Sequence, residues 1–276
     1  MRLATVLCVT ALTVLSTASS LRATVTTFTF EQSRGVSDAD WCKDAGESRD
    51  EERFCEVRQL SMAAPSTFEV STANGGVWIE GSSRRDIQIL ARVIATGRSE
   101  ADAQALAGRV SIQTAGGRLV ADGPRPENRA SWWVSYRIDA PKQLNIDATT
   151  SNGSVSITGI SGAIHAETDN GSVRLQDVSG DVKARTSNGS LNIDLGGNTW
   201  SGAGLEATTS NGSLNVNMPR DYNAHLIATT NNGSLRVERP VTLQGRIGKD
   251  IDTTLGTGGP TLRFRTSNGS LRINEK

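Results

Sequence analysis

The tripeptide Asn-Gly-Ser recurs in register six times, at Asn152-Gly153, Asn170-Gly171, Asn188-Gly189, Asn211-Gly212, Asn232-Gly233 and Asn268-Gly269. An earlier copy reads Asn74-Gly75-Gly76, and Gly116-Gly117 is a degenerate one. The intervals from 152 to 170 and from 170 to 188 are 18 residues; the later ones are 23 and 21, then 36, twice the first. A short, nearly fixed period marks a unit too small to bury its own apolar face, so neighbouring units must stack to make a core. The long last interval predicts one worn repeat around Asp250 that has lost its Asn-Gly.

Aligned on Asn, the copies show alternation. Thr stands two residues before it (Thr150, Thr168, Thr186, Thr209, Thr230), and Ala usually four before (Ala148, Ala166, Ala184, Ala207, Ala228). Six before it is apolar: Ile146, Ile164, Val182, Leu205, Leu226 and Leu262. The positions between are mostly polar, such as Asp147, Lys183, Arg185 and Glu206. This is the period of two expected of a half-buried strand. Past the tripeptide it resumes, with Val155 and Ile157, Val173 and Leu175, or Leu191 and Ile193 inward. Parity places the Thr column inward too, its hydroxyls bonded to backbone or to the next Thr. Gly tolerates positive φ and Asn tolerates it better than most residues, so each Gly of the array is expected in a left-handed turn.

Two all-β architectures accommodate this pattern. One is a β-solenoid with Asn-Gly-Ser turns, about 18 residues per coil, its strands stacking in parallel on neighbouring coils. The other is a meander of Asn-Gly hairpins. The near-constant period, the narrow Ala positions and insertions confined to the second turn favour the solenoid.

The flanking segments read differently. Residues 1–23 have the form of a signal peptide: Arg2, the apolar stretch Leu3 to Leu15, then small residues up to Ala18 and Ala23. That stretch is short for a membrane span, and no second apolar stretch follows, so no transmembrane span is expected in the mature chain. Residues 24–60 form a charged, cysteine-containing N-terminal cap segment, and 61–276 the β-strand repeat domain. Cys8 falls within the signal, leaving Cys42 and Cys55; an even count in an exported chain predicts a disulfide between them. A short helix is expected near 99–108, capped by Ser99. Trp132 to Asp139 reads as a strand with Trp132, Val134, Tyr136 and Ile138 on one face.

Chemistry is sparse. Net charge is +0, from 29 basic and 29 acidic residues, so nothing draws the chain to nucleic acid. His165 and His225, three repeats apart on outward positions, are too distant to share a metal. Nucleophile, P-loop and dinucleotide motifs do not occur, and the turns lack the Asp of calcium-binding β-rolls. The expectation is no catalytic site, no cofactor and no metal. Aromatics are only 4% of the chain, so two tryptophans stand out as candidate surface contacts. Trp78, between inward Val77 and Ile79, should face out, and Trp133 should be more exposed than Trp132; each could stack on a sugar ring or a partner, or pack under the cap.

The segment Phe68 to Val77, the Ala-rich helix, the strand Val134 to Pro141 and the Asn-Gly-Ser array together resemble the bacterial putative adhesin family of exported β-strand-repeat proteins. Trp41-Cys42 through Arg58 is similar to an extension found on some members. The resemblance covers most of 61–276 and implies a β-helical fold and an envelope location; it carries no catalytic residues. The function expected is an exported, non-enzymatic, adhesin-like scaffold in the periplasm, at the outer membrane or secreted. Its extended surface would meet an envelope or surface partner, protein or polysaccharide. The alternative is a β-helical polysaccharide-binding or polysaccharide-cleaving protein, which needs a charged cluster breaking one face of the repeat.

Overall fold

A computed structural model describes residues 38–43, 51–126, 130–238 and 248–276. The signal segment 1–23 lies outside the described residues. The chain begins with helix α1 (Asp38–Lys43), β1 (Glu52–Ala63), β2 (Thr67–Asn74), β3 (Val77–Ser82) and β4 (Asp86–Gly97). Helix α2 (Glu100–Ala107), β5 (Ser111–Gln113), β6 (Arg118–Asp122) and β7 (Ser131–Pro141) follow. Ser99 caps α2 as the sequence predicts, its hydroxyl accepting from the Asp102 N–H at 3.2 Å.

The array then runs β8 (Asn145–Asn152), β9 (Val155–Thr158), β10 (Ser161–Asn170), β11 (Val173–Gln176), β12 (Ser179–Asn188) and β13 (Leu191–Asp194). It continues with β14 (Gly204–Asn211), β15 (Leu214–Met218), β16 (Ala224–Thr230), β17 (Leu235–Glu238), β18 (Asp250–Leu255), β19 (Thr261–Asn268) and β20 (Leu271–Glu275). Asn-Gly-Ser joins strands of different sheets: β8 ends on Asn152 in one sheet, and β9 begins at Val155 in the other. A hairpin meander would pair these two strands with each other. Instead β9, β11, β13 and β15 pair in parallel in one sheet, the first, and β8, β10, β12 and β14 in parallel in the second.

Register is uniform. Ile164 faces Ile146 and Val182; Thr168 faces Thr150 and Thr186. The apolar positions are buried between the sheets, and each Val, Leu or Ile so removed from water contributes about 1.5–3 kcal/mol. The Thr column is buried as parity predicts, with Thr168 and Thr209 at 0% exposure, while Lys183, Arg185 and Glu206 are exposed. Each Thr hydroxyl donates to a Gly carbonyl of the neighbouring coil, as from Thr186 to Gly171 at 2.8 Å and from Thr168 to Gly153 at 2.8 Å. Burial of these hydroxyls is therefore compensated by hydrogen bonds.

Three expectations are corrected. First, the Gly residues of the six tripeptides are absent from the positive-φ residues, which include Gly75, Gly159 and Gly180. Their constraint is close approach. A Cβ on Gly171 would stand 1.8 Å from the Gly153 carbonyl oxygen, and one on Gly189 1.8 Å from that of Gly171. The same contact recurs along the stack, so the backbones meet where only Gly fits.

Second, residues around Asp250 are not a worn repeat. β18 runs antiparallel to β16, with Ala228 opposite Ile251 and Ala224 opposite Leu255, and forms the edge of its sheet. Third, coil order departs from chain order. β19 lies between β14 and β16, and β20 between β15 and β17. Gly269, near the C-terminal end of the sequence, is thus interior, between Gly212 and Gly233. Four strand steps, through β12, β14 and β19, separate the strands of His165 and His225.

Candidate functional site

The outward faces of the first sheet carry the richest side-chain chemistry, because two consecutive outward positions per strand are held in rows by the parallel register. Along one row Arg137, Trp78, Ser156, Arg174, Asn192 and Asn215 are successive partners. Along the next, Asp139, Glu80, Thr158, Gln176, Asp194 and Asn217 are. Amides interlock between coils: Asn215 donates to Asn192 at 3.1 Å, and Asn217 to Asp194 at 2.6 Å. These bonds fix the spacing of the polar groups at that of the strands, about 4.8 Å.

At the N-terminal end of this face lies an aromatic and cationic cluster. Cys42 of α1 is bonded to Cys55 of β1, which pins α1 over the outer face. Trp41, beside Cys42, is consequently buried at 3% exposure. The Arg137 guanidinium lies 4.2 Å from its ring centroid and that of Arg92 4.9 Å, a geometry in which cations are attracted to the ring face. Arg92 also donates to the Trp41 carbonyl at 2.8 Å. Trp78 meets Trp41 edge to face, with centroids 6.3 Å apart, and stays 39% exposed. Trp133 is half-buried, with the Arg53 guanidinium 5.6 Å from its ring. Both sequence candidates thus face outward near the cap, Trp78 more open. Neither α1 nor the two stacking arginines was anticipated; the adjacency of Trp41 to Cys42 is the signal that could have found the first.

Glu80 and Asp139 are partners across β3 and β7 in the second row. Burial, reinforced by the charge of Glu80 and opposed by Arg84, raises the Asp139 pKa above the ordinary carboxylate range. Arg84 itself is paired with Asp86 at 2.9 Å. A separate shallow cleft of about 600 Å³, lined by Arg98, Arg109, Arg125, Leu106 and Pro124 among others, flanks α2.

Where coils meet at the tripeptides, a second ladder runs down the edge. Asn152 donates to Asn74, Asn170 to Asn152, Asn188 to Asn170, Asn211 to Asn188, Asn268 to Asn211 and Asn232 to Asn268, all at 2.9–3.0 Å. The imidazoles engage local carboxylates, His165 with Glu167 at 3.2 Å and His225 with Asp252 at 2.7 Å. Among the described residues no three His, Cys, Asp or Glu side chains gather to hold a metal, and no helix is long and apolar enough to cross a membrane.

No curated protein matches the sequence. Solved structures similar to the chain include a putative cell adhesion protein from Clostridium sporogenes ATCC 15579, with 10% identity, TM-score 0.44, and coverage of 82% of this chain and 100% of that one. A putative adhesin from Bacteroides fragilis NCTC 9343 gives 12% identity, TM-score 0.37, and coverage of 81% and 97%. A putative lipid binding protein from Parabacteroides distasonis ATCC 8503 gives 9%, TM-score 0.27, and coverage of 79% and 96%. The model of the family described as Toastrack DUF4097 matches residues 67–274, three quarters of the sequence, and the chain belongs to that family.

Proposed function

We propose that the chain is an exported, non-enzymatic β-solenoid scaffold of adhesin-like character, closed at each coil by its Asn-Gly-Ser bends. The outer face of its first sheet presents polar rows to an extended partner at the cell envelope or surface. The observation that carries this reading is the register of those rows: identical spacing repeated from Trp78 through Arg174 to Asn215 suits a partner that is itself periodic. Signal-like residues 1–23 support export.

Binding of the purified protein to immobilised neutral and acidic polysaccharides and to envelope protein fractions tests the reading. Trp78→Ala and Arg174→Ala should weaken binding, and Lys183→Ala, on the opposite sheet, should not. Loss through Lys183→Ala with both first-sheet variants unaffected would sink it.

The polysaccharide-cleaving alternative gains support from one pair, Glu80 beside Asp139 with its raised pKa, because sugar hydrolysis uses two carboxylates of unequal acidity. An assay for new reducing ends on the polysaccharides that bind separates the two. Release that disappears in Asp139→Asn favours the enzyme, and binding without release favours the scaffold.

A further inference from the structure

We infer that Asn232 is a site of spontaneous covalent modification, converting to aspartate and isoaspartate well ahead of the other five Asn-Gly-Ser asparagines. In this reaction the backbone nitrogen of the following Gly, having lost its proton, attacks the side-chain Cγ of Asn. The Cγ–Nδ2 bond breaks and ammonia leaves, giving a five-membered succinimide. Water then opens the ring at either carbonyl, leaving Asp or isoaspartate. Glycine permits the attack because it has no side chain to obstruct the approach, so all six sites are intrinsically prone. What differs between them is how firmly the stack holds the reacting atoms apart.

Interior sites are clamped three ways. Their strands run in extended conformation up to the Asn itself, as β8, β10, β12, β14 and β19 do. Their side-chain amides are held at both ends of the ladder, the oxygen accepting from one neighbour and the nitrogen donating to the other. The glycine backbones are covered by the next coil, and the N–H groups of Gly171 and Gly189 donate to the carbonyls of Asn188 and Asn211, each at 3.2 Å. At the opposite end of the ladder, the Gly75 N–H donates to the Asn152 carbonyl at 3.0 Å.

Asn232 keeps one backbone tie, its N–H donating to the Ser267 carbonyl at 2.7 Å, but is held less firmly on each of the three counts. β16 stops at Thr230, two residues short of the Asn, and residues 231–233 form a bend. Asn232 donates to Asn268 at 3.0 Å, and among the described residues no asparagine donates to its own oxygen. β17, which follows it, is the terminal strand of the first sheet. Gly233 is exposed, whereas Gly153, Gly171, Gly189, Gly212 and Gly269 are all half-buried. The swapped coil order creates this difference, since it places the coil of Asn232, and not that of Asn268, at the end of the stack.

Conversion would replace the donor to Asn268 with a carboxylate oxygen, opening the last rung, and the isoaspartate form would lengthen the backbone of the terminal coil by one methylene. The test is peptide mapping by mass spectrometry of the folded full chain held at warm, mildly alkaline pH, with a denatured sample in parallel. Interior sites react only through opening events whose free energies run up towards global stability, so Asn232 should convert more than about tenfold faster than Asn170 or Asn188. In the denatured chain, where each site is an Asn followed by Gly-Ser, the six rates should converge. An interior asparagine converting as fast as Asn232 in the folded chain, or an Asn232 lead that persists on denaturation, would overturn the inference.

Discussion

The carbonyl oxygen of Gly171 lies 1.8 Å from where a Cβ on Gly189 would stand. Two backbones stacked at that separation leave no volume for a methyl group, and the obstacle is another backbone that cannot swing away. Gly189→Ala should therefore destabilise the protein by about 1–3 kcal/mol through overpacking. Gly108→Ala is the control: it closes α2 in helical conformation and its Cβ would meet nothing nearer than 3.6 Å. Urea denaturation should show a lowered midpoint for the first variant and an unchanged or raised one for the second.

The same contact ranks the last two coils against their order in the sequence. Gly269 packs on Gly212 and is itself covered by Gly233, while Gly233 has its open side to solvent. Gly269→Ala should cost as much as Gly189→Ala, and Gly233→Ala less, because the terminal coil can move outward. Denaturation midpoints of the three variants measure this; equal values for Gly233 and Gly269 would contradict the coil order.

Thr186→Val removes a hydroxyl that is buried and bonded to the Gly171 carbonyl at 2.8 Å. The shape is kept and a buried acceptor loses its partner, so the loss should be about 1–3 kcal/mol. Thr186→Ser retains the bond and should lose less.

Much of this was legible in advance. Parity along Ile146-Asp-Ala148-Thr-Thr150 identifies the buried face correctly, because alternation depends only on strand geometry. The glycine conformation was not, since Asn-Gly is also the signature of a left-handed turn, and the contact that demands Gly comes from the next coil. Coil order was equally hidden. Leu205, Leu226 and Leu262 present the same apolar step, so each coil fits on any other, and the spacing from Asn232 to Asn268 says nothing about which neighbour is chosen. Among the coils from β8 onward one residue did differ: Phe264 occupies a column held there by Ala148, Ala166, Ala184, Ala207 and Ala228. At the candidate site, Trp78 was readable from its position between Val77 and Ile79. The Trp41 cluster needed the disulfide to bring α1 across.

That disulfide yields a further prediction. Cys42 and Cys55 are separated by 13 residues, so the cross-link should stabilise by about 3 kcal/mol in the chain-entropy model. Replacing both with Ala frees α1 to leave the sheet. Acrylamide should then quench tryptophan fluorescence more strongly, as Trp41 becomes accessible and Trp78 loses its cover on one side.

Asp139 predicts the sign of a pH effect. Burial raises its folded pKa, with Glu80 adding to the shift. Between its ordinary pKa and the raised value the folded state holds more protons than the unfolded state, so stability falls as pH rises through that window. Asp139→Asn should remove this contribution, raising stability at neutral pH relative to the parent and losing that advantage below the ordinary carboxylate range. Denaturant midpoints of both proteins across acidic and neutral pH test it.

The insertion of β19 and β20 beneath β16 and β17 makes the order of synthesis matter. A chain emerging N-terminus first can add each coil from β8 to β15 onto the one before it, up to residue 218. The next coil then has no permanent seat, because its neighbours in the two sheets are β18, β19 and β20, all still to come. Until residues 261–275 arrive, the growing stack presents two open edges and a loose coil able to dock on either one in the wrong place. A premature stop after residue 238 would therefore yield a product that satisfies every local rule of the repeat and still closes one coil out of sequence.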